Sequence, residues 1–180
     1  GVEWLPSQIQ AVNPVMIMMF IPLFTYVVYP VLNRMVLLTS LRKMAMGFFM
    51  TVGAFLISAY IEQQIELGME PAIGWQLLAF VVITAAEVMV SITCLEFSYT
   101  QAPLKLKSLM MGLFLLSVSL GNGFTAFVNF WIQNTDGTVA LTGADYYWFF
   151  AGVMFLVACL FLLVVKGYEE GTYLQGTGQG

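Results

Sequence analysis

Five apolar stretches, each long enough to cross a bilayer as a helix, constrain this chain more than any other feature. A helix rises about 1.5 Å per residue, so roughly 20 apolar residues cross the hydrocarbon core. The 180 residues are 60% hydrophobic and 9% charged, whereas soluble domains carry roughly 25% charged residues. The sequence therefore predicts an all-α integral membrane protein with spans at about residues 14–32, 44–61, 75–99, 109–132 and 146–165.

The basic residues predict how these spans are oriented. All Lys and Arg residues fall on one side of the alternating spans, namely Arg34, Arg42, Lys43, Lys105, Lys107 and Lys166. The loops of the opposite side contain acidic residues but no Lys or Arg. By the positive-inside rule, we expect the N-terminus outside and the C-terminus in the cytoplasm. The expected organisation is an extracellular or periplasmic lead-in (1–13), a transmembrane bundle (14–166) and a flexible, Gly-containing cytoplasmic tail (167–180).

The reactive residues of the chain argue against an enzyme. The sequence contains no His, which excludes His-based metal sites, Ser–His proteolysis and HExxH metalloproteases. Cys94 and Cys159 lie inside apolar spans and are interpreted as small buried hydrophobes rather than a disulfide or a metal site. We therefore expect no catalytic residue, no cofactor, no metal and no nucleic-acid partner.

One acidic residue, Glu87, lies about a dozen residues into the third span, close to the bilayer midplane. A charge at that depth costs roughly 2.5–3.5 kcal/mol on insertion scales. A carboxyl group there can hold and release a proton, or it can bind a ligand ammonium through a charge-assisted hydrogen bond. Both chemistries indicate transport rather than covalent catalysis.

Polar and small side chains recur around this residue at helical spacing, namely Thr84, Glu87, Ser91, Cys94, Ser98 and Gln101. Steps of three and four residues predict one polar face that runs from the midplane to the cytoplasmic end. Within lipid, such a face turns toward protein or a wet cavity. We favour a polar pathway or ligand site; the alternative is a packing seam with one protonated, hydrogen-bonded glutamate.

Other residues in the spans predict structural or gating roles. Glu96 follows Glu87 by nine residues, which places the two carboxyls on opposite faces of an uninterrupted helix. Glu96 is near the cytoplasmic end, and we interpret it as structural or gating. Pro22 and Pro30 interrupt the first span and predict a bent helix that either shapes the bundle or assists gating.

Small residues at helical spacing form two further faces, Gly47, Thr51, Ala54 and Ser58 in the second span and Ser117, Gly121 and Thr125 in the fourth. Such faces allow two helices to approach closely within a membrane. We expect close packing at both faces, and the alternative is that they line a cavity.

Several segments resemble the proton-coupled oligopeptide transporter family of the major facilitator superfamily: QIQAVNPVMIMMFIPLFTYVVYPVLNR, LRKMAMGFF, EVMVSITCLEFSYTQAPLKLKS and SLGN. The similarity covers roughly residues 5–131, and EFSYTQAP is its most specific element. The resemblance implies that the five spans are helices eight to twelve, most of the C-terminal six-helix bundle. Helix seven and the N-terminal half would be missing from this chain, which alone should not transport. The implied function is symport of di- and tripeptides with protons by alternating access, in a bacterial inner (plasma) membrane.

The same resemblance implies a peptide-binding site. Glu87 matches the glutamate that receives the peptide amino terminus, and Asn13 matches an asparagine that helps to bind this amine. Ser91 matches a pocket-lining position, Phe114 stands where most members have Trp, and Ser117 would face the same cavity. The ExxER motif, which serves proton coupling and carboxylate binding in the family's N-terminal half, is absent here. Two alternatives remain: a related transporter of nitrate or another small solute, and a non-transporting membrane scaffold subunit.

Overall fold

The structure is a computed structural model that describes residues 6–35, 37–101, 106–132 and 141–168. Within these residues, five helices are long and apolar enough to cross a membrane: Asn13–Met35, Ser40–Glu66, Ile73–Thr100, Lys107–Ile132 and Ala144–Gly167. The five predicted spans are therefore confirmed, and most continue a few residues beyond the predicted ends. Part of the predicted lead-in is helical from Pro6 onward, and most of the predicted tail lies outside the described residues.

Helix α1 consists of three consecutive segments, namely the α-helix Pro6–Leu23, the π-helix Phe24–Val28 and the α-helix Tyr29–Met35. The π turn lies between Pro22 and Pro30. Proline has no N–H to donate, and its ring clashes with the carbonyl four residues earlier, so the helix widens there. The N–H of Tyr29 accordingly bonds to the carbonyl of Phe24, five residues back. The interruption predicted from the two prolines therefore coincides with this π turn, while the bend itself stays a prediction.

The remaining elements are α2 (Ser40–Glu66), α3 (Ile73–Glu87, the π-helix Val88–Ile92 and Thr93–Gln101), α4 (Lys107–Ile132) and α5 (Ala144–Gly167). Helix α2 begins after Thr39, whose side-chain oxygen accepts a hydrogen bond from the backbone N–H of Arg42 at 3.4 Å. This is the usual role of an N-cap threonine.

The start of α5 is capped by a residue from another helix. Gly143 precedes it with a φ of 58°, a conformation that a side chain makes costly. The first helical N–H, that of Ala144, donates to Oε1 of Glu66 at 3.0 Å. A carboxylate is favourable at this positive end of a helix, so Glu66 ties the end of α2 to the start of α5.

Helix α2 packs along both α5 and α3, while α1 packs against α3. Edge-to-face rings of Phe48 and Phe161, with centroids 4.9 Å apart, join α2 to α5. Against α3, a Cβ on Gly47 would lie 2.6 Å from Cγ2 of Val90 and 3.1 Å from Cβ of Met89. The close packing predicted for the small residues of the second span is confirmed at this position.

Helix α4 has the fewest neighbours among the described residues. It packs beside the last segment of α3, and at its other end Tyr146 of α5 donates its hydroxyl hydrogen to Oδ1 of Asn129 at 3.0 Å. A Cβ on Gly121 would meet open space, and Ser117 is exposed. The close packing predicted for this small-residue face is therefore not formed within the described part of the chain.

Candidate functional site

Glu87 ends the first segment of α3, directly before the π turn Val88–Ile92. Its side chain is exposed, whereas its neighbours Ala86 and Val88 retain 1% and 3% of their exposure. The carboxylate therefore lies on the side of α3 that the described helices leave partly open, while the backbone beside it is packed.

A hydrogen-bond network links this carboxylate to α1. Nδ2 of Asn13 donates to Oε2 of Glu87 at 3.3 Å. The hydroxyl of Thr84 lies 3.1 Å from Oδ1 of Asn13 and 2.8 Å from the carbonyl oxygen of Phe80. Thr84 is fully buried, at 0% exposure. Asn13 and Glu87, which only the family resemblance had related, are thus in contact. Thr84, which was predicted only as part of the polar face, is the third member of this network.

The hydrogen bonds among Asn13, Thr84 and Glu87 can all be formed in either protonation state of Glu87. A threonine hydroxyl has a single hydrogen, and an asparagine amide can exchange its oxygen and nitrogen by rotating half a turn. With the amide nitrogen toward Glu87, as in the structure, Asn13 donates to a carboxylate. With the amide reversed, Thr84 donates to the carbonyl of Phe80 and accepts from Asn13. A protonated Glu87 then donates to the amide oxygen, so both arrangements leave the network satisfied.

An apolar cluster holds α1 against α3 beside this network. Its buried members are Phe24 of α1 and Ala85, Val88 and Met89 of α3. Met89 retains only 1% exposure, and Phe24 begins the π turn of α1. A side chain from the π turn of α1 therefore packs in the same cluster as Val88 and Met89 of the π turn of α3. Burial of these side chains, more than the exposed hydrogen bond itself, sets the position of Asn13 relative to Glu87.

A second polar contact joins α1 to the last segment of α3. The hydroxyl of Tyr29 hydrogen-bonds with the side chain of Thr93. The ammonium of Lys43 lies 4.4 Å from the centroid of the Tyr29 ring, which is within cation–π distance. Tyr29 is thus in contact with Lys43 of α2 and with Thr93 of α3 at once.

The position of Glu96 corrects one prediction. A π turn takes in one extra residue and so turns the following helix back by about 100°. The angle between Glu87 and Glu96 becomes about 80° instead of about 180°. The opposite faces predicted for an uninterrupted helix therefore do not apply to α3, because the π turn Val88–Ile92 lies between the two residues. Roughly 13 Å of helical rise still separates them, so they do not form a carboxyl pair.

The other predicted site residues are not hydrogen-bonded to Glu87 in the part of the chain that the structure describes. Ser91 is half-buried within the π turn of α3. Phe114 is half-buried on α4, and the exposed Ser117 donates its hydroxyl hydrogen to the carbonyl of Phe114 at 2.7 Å. Their binding roles stay predictions, as do the gating roles of Pro22 and Pro30.

The chain is similar to known membrane transporters. A family model described as "POT family" matches residues 1–149. Peptide transporter PTR2 of Saccharomyces cerevisiae is 27% identical over 178 residues, which cover 90% of this chain and 28% of the relative. Solute carrier family 15 member 2 of Rattus norvegicus is 55% identical over 51 residues, which cover 28% of this chain and 7% of the relative.

Solved structures support the same relationship. The crystal structure of an auto inhibited POT family peptide transporter matches with a TM-score of 0.86 and 31% identity, over 97% of this chain and 35% of that chain. The structure of the POT family transporter PepTSo matches with a TM-score of 0.82 and 34% identity, over 93% and 35%. The predicted all-α membrane fold is confirmed, and the chain spans about a third of the length of these structures.

Proposed function

The chain belongs to the POT family, and from this premise we propose that it is the C-terminal part of a proton-coupled symporter for di- and tripeptides. Its partners are then the peptide, protons, the lipid bilayer and the N-terminal half of the same transporter. The proposed location is the inner (plasma) membrane, with the N-terminus of this chain outside and its C-terminus in the cytoplasm. Alternating access arises from rocking of the two halves around a site near the membrane midplane.

The contact between Asn13 and Glu87 supports this proposal most directly. An amide that donates to one carboxylate oxygen holds the group in place and leaves the other oxygen free for a ligand. The free oxygen of Glu87 then accepts from the peptide ammonium in a charge-assisted hydrogen bond. Ser91, Phe114 and Ser117 line the same cavity in this proposal, although they make no bond to Glu87 within the described residues.

In this proposal Glu87 binds the peptide rather than the coupled proton. An ionised Glu87 attracts the ammonium and accepts from Asn13. A proton on Glu87 would remove the charge that holds the ammonium, so a proton that travels with the peptide binds at another group. The family resemblance implies that this group lies in the N-terminal half of the transporter. Glu96, Pro22 and Pro30 have structural or gating roles in this scheme.

The test compares Glu87→Gln with the wild type in the full-length protein, using a dipeptide and its N-acetylated form. Because a charge-assisted hydrogen bond contributes about 1.5–3 kcal/mol, we expect the variant to bind the free dipeptide about 10- to 150-fold more weakly. The acetylated form has no ammonium, so its affinity should be the same for both proteins. The matched control is Glu70→Gln, which alters an exposed residue in the loop between α2 and α3. This variant should bind the dipeptide like the wild type.

The proposal fails if Glu87→Gln leaves dipeptide affinity and proton-driven uptake unchanged. It also fails if nitrate, and no dipeptide, competes for the site in proteoliposomes, since the substrate is then a different small solute.

A further inference from the structure

A pocket of about 610 Å³ lies between the start of α2 and the end of α5, away from the Glu87 network. Its walls combine polar and apolar side chains, among them Thr39, Arg42, Leu162, Leu163, Lys166 and Tyr168. These positions are at the ends of two helices long and apolar enough to span a membrane, so we expect the pocket to open at the level of the lipid headgroups. It belongs to neither the peptide site nor the contact between α1 and α3.

The polar wall of this pocket is positively charged. Nη1 of Arg42 donates to the carbonyl of Leu37 at 2.8 Å, which holds the guanidinium in place, and its other side-chain N–H groups donate to none of the described residues. Lys166, at the end of α5, also lines the pocket and adds a second positive charge. The N-terminus of α2, capped by Thr39, adds the positive end of a 27-residue helix. No acidic side chain is among the described residues that line the pocket; Glu169 and Glu170 follow in the sequence, outside the described part.

The other wall is apolar and faces outward along α5. Leu162 and Leu163 are 38% and 64% exposed, as expected for side chains that face lipid. Tyr168 lies at the end of α5, and its ring packs edge-on against Phe97 of α3, with centroids 5.9 Å apart. Amphipathic aromatic rings of this kind are common where a membrane protein meets the headgroups.

We propose that this pocket binds the phosphate of an anionic membrane phospholipid, with an acyl chain lying against Leu162 and Leu163. A guanidinium and an ammonium suit a phosphate, for which Arg provides a two-pronged donor and Lys a point charge. Phosphatidylcholine or phosphatidylethanolamine would bring a cationic group next to Arg42 and Lys166, so a net negative headgroup is preferred. The exposed leucines favour a lipid over a free phosphate ion, which gains nothing from an apolar wall.

The test uses the purified protein in detergent and measures bound lipid by native mass spectrometry during titration with dioleoyl-phosphatidylglycerol. Each basic residue near an anionic headgroup contributes about fivefold in affinity. We therefore expect Arg42→Gln and Lys166→Gln each to weaken binding about fivefold, and the double variant about 25-fold. The matched controls are Arg34→Gln and Lys107→Gln, which remove charges of the same end of the bundle outside the pocket and should stay within twofold of the wild type.

Two further ligands distinguish an anionic-lipid site from a site for any lipid or for a free anion. Dioleoyl-phosphatidylcholine should bind clearly more weakly than phosphatidylglycerol, and millimolar inorganic phosphate should not displace the bound lipid. The proposal is overturned if the double variant binds phosphatidylglycerol like the two controls, or if phosphatidylcholine binds equally well. Displacement by inorganic phosphate also overturns it, because the pocket would then recognise a free anion. Helical content by circular dichroism verifies that every variant is folded.

Discussion

The substitution Thr84→Val tests whether a buried hydroxyl controls the orientation of Asn13. Valine is similar in shape to threonine but cannot hydrogen-bond, so the change removes the 3.1 Å contact to Oδ1 of Asn13. The substitution also removes the 2.8 Å contact to the carbonyl of Phe80. It leaves Glu87 itself untouched, so we expect any loss of binding to act through the amide of Asn13.

The expected magnitude follows from the net contribution of one intramolecular hydrogen bond, about 0.5–1.5 kcal/mol. If that free energy orients the amide for Glu87, its loss weakens dipeptide affinity by about 2- to 12-fold. Thr51→Val is the matched control, because Thr51 donates only to the carbonyl of Gly47 within its own helix, at 3.0 Å. Isothermal titration calorimetry of the full-length protein with a dipeptide measures both variants.

A double-mutant cycle with Asn13→Ala isolates the proposed pathway. Because Thr84 acts through the amide of Asn13, Thr84→Val should change affinity by less than about 0.5 kcal/mol in the Asn13→Ala background. The pathway is refuted if Thr84→Val weakens binding no more than Thr51→Val does. It is equally refuted if the full effect persists without Asn13, because the hydroxyl would then act on the site by another route.

Three stability predictions concern the contacts that position the helices, each measured by thermal unfolding in detergent. Gly47→Ala should destabilise the protein by about 1–3 kcal/mol, because the new Cβ overlaps the stiff valine of the α3 π turn. Glu66→Ala should cost about 1 kcal/mol, because the N–H of Ala144 loses its cap. Tyr29→Phe should lower the free energy of unfolding by about 0.5–1.5 kcal/mol, because the hydroxyl's hydrogen bond with Thr93 is lost. The aromatic ring that faces the ammonium of Lys43 is kept.

Each of these three variants has a control on the same element or at the same end of the bundle. Gly53→Ala adds a Cβ with no atom within 4 Å, Glu70→Ala removes an exposed carboxylate, and Tyr26→Phe alters a side chain that is 79% exposed. If a control variant unfolds at the same temperature as the variant to which it is matched, the contact removed in that variant does not stabilise the protein as predicted.

The sequence was sufficient to predict the five long apolar helices, while the shared end of the basic residues stays a prediction. Apolar length and charge placement depend on one chain segment at a time, so they can be read without knowing which helices touch. The contact between Asn13 and Glu87, by contrast, joins residues 74 positions apart. Their spacing along the chain carries no signal of it, and only the resemblance to a family connected them.

The π turns were harder to predict. The π turn in α3 is the reason why the angle expected between Glu87 and Glu96 on an uninterrupted helix does not apply. In α1 the turn lies between two prolines, which provide a sequence signal. The segment Val88–Ile92 contains no proline and no glycine, so its widened backbone depends on packing. Gly47 of α2 lies against this segment, and such a contact is not visible until α2 and α3 are placed together.

The pairing of α1 with α3 has a polar contact at each end and an apolar cluster between them. Asn13 meets Glu87 at one end, and Tyr29 hydrogen-bonds with the side chain of Thr93 at the other. Sliding one helix along the other would break both polar contacts and expose the buried cluster around Met89. Each loss is unfavourable, and they would occur together. We therefore expect α1 and α3 to move as one unit, so access to Glu87 changes when this pair moves relative to other helices.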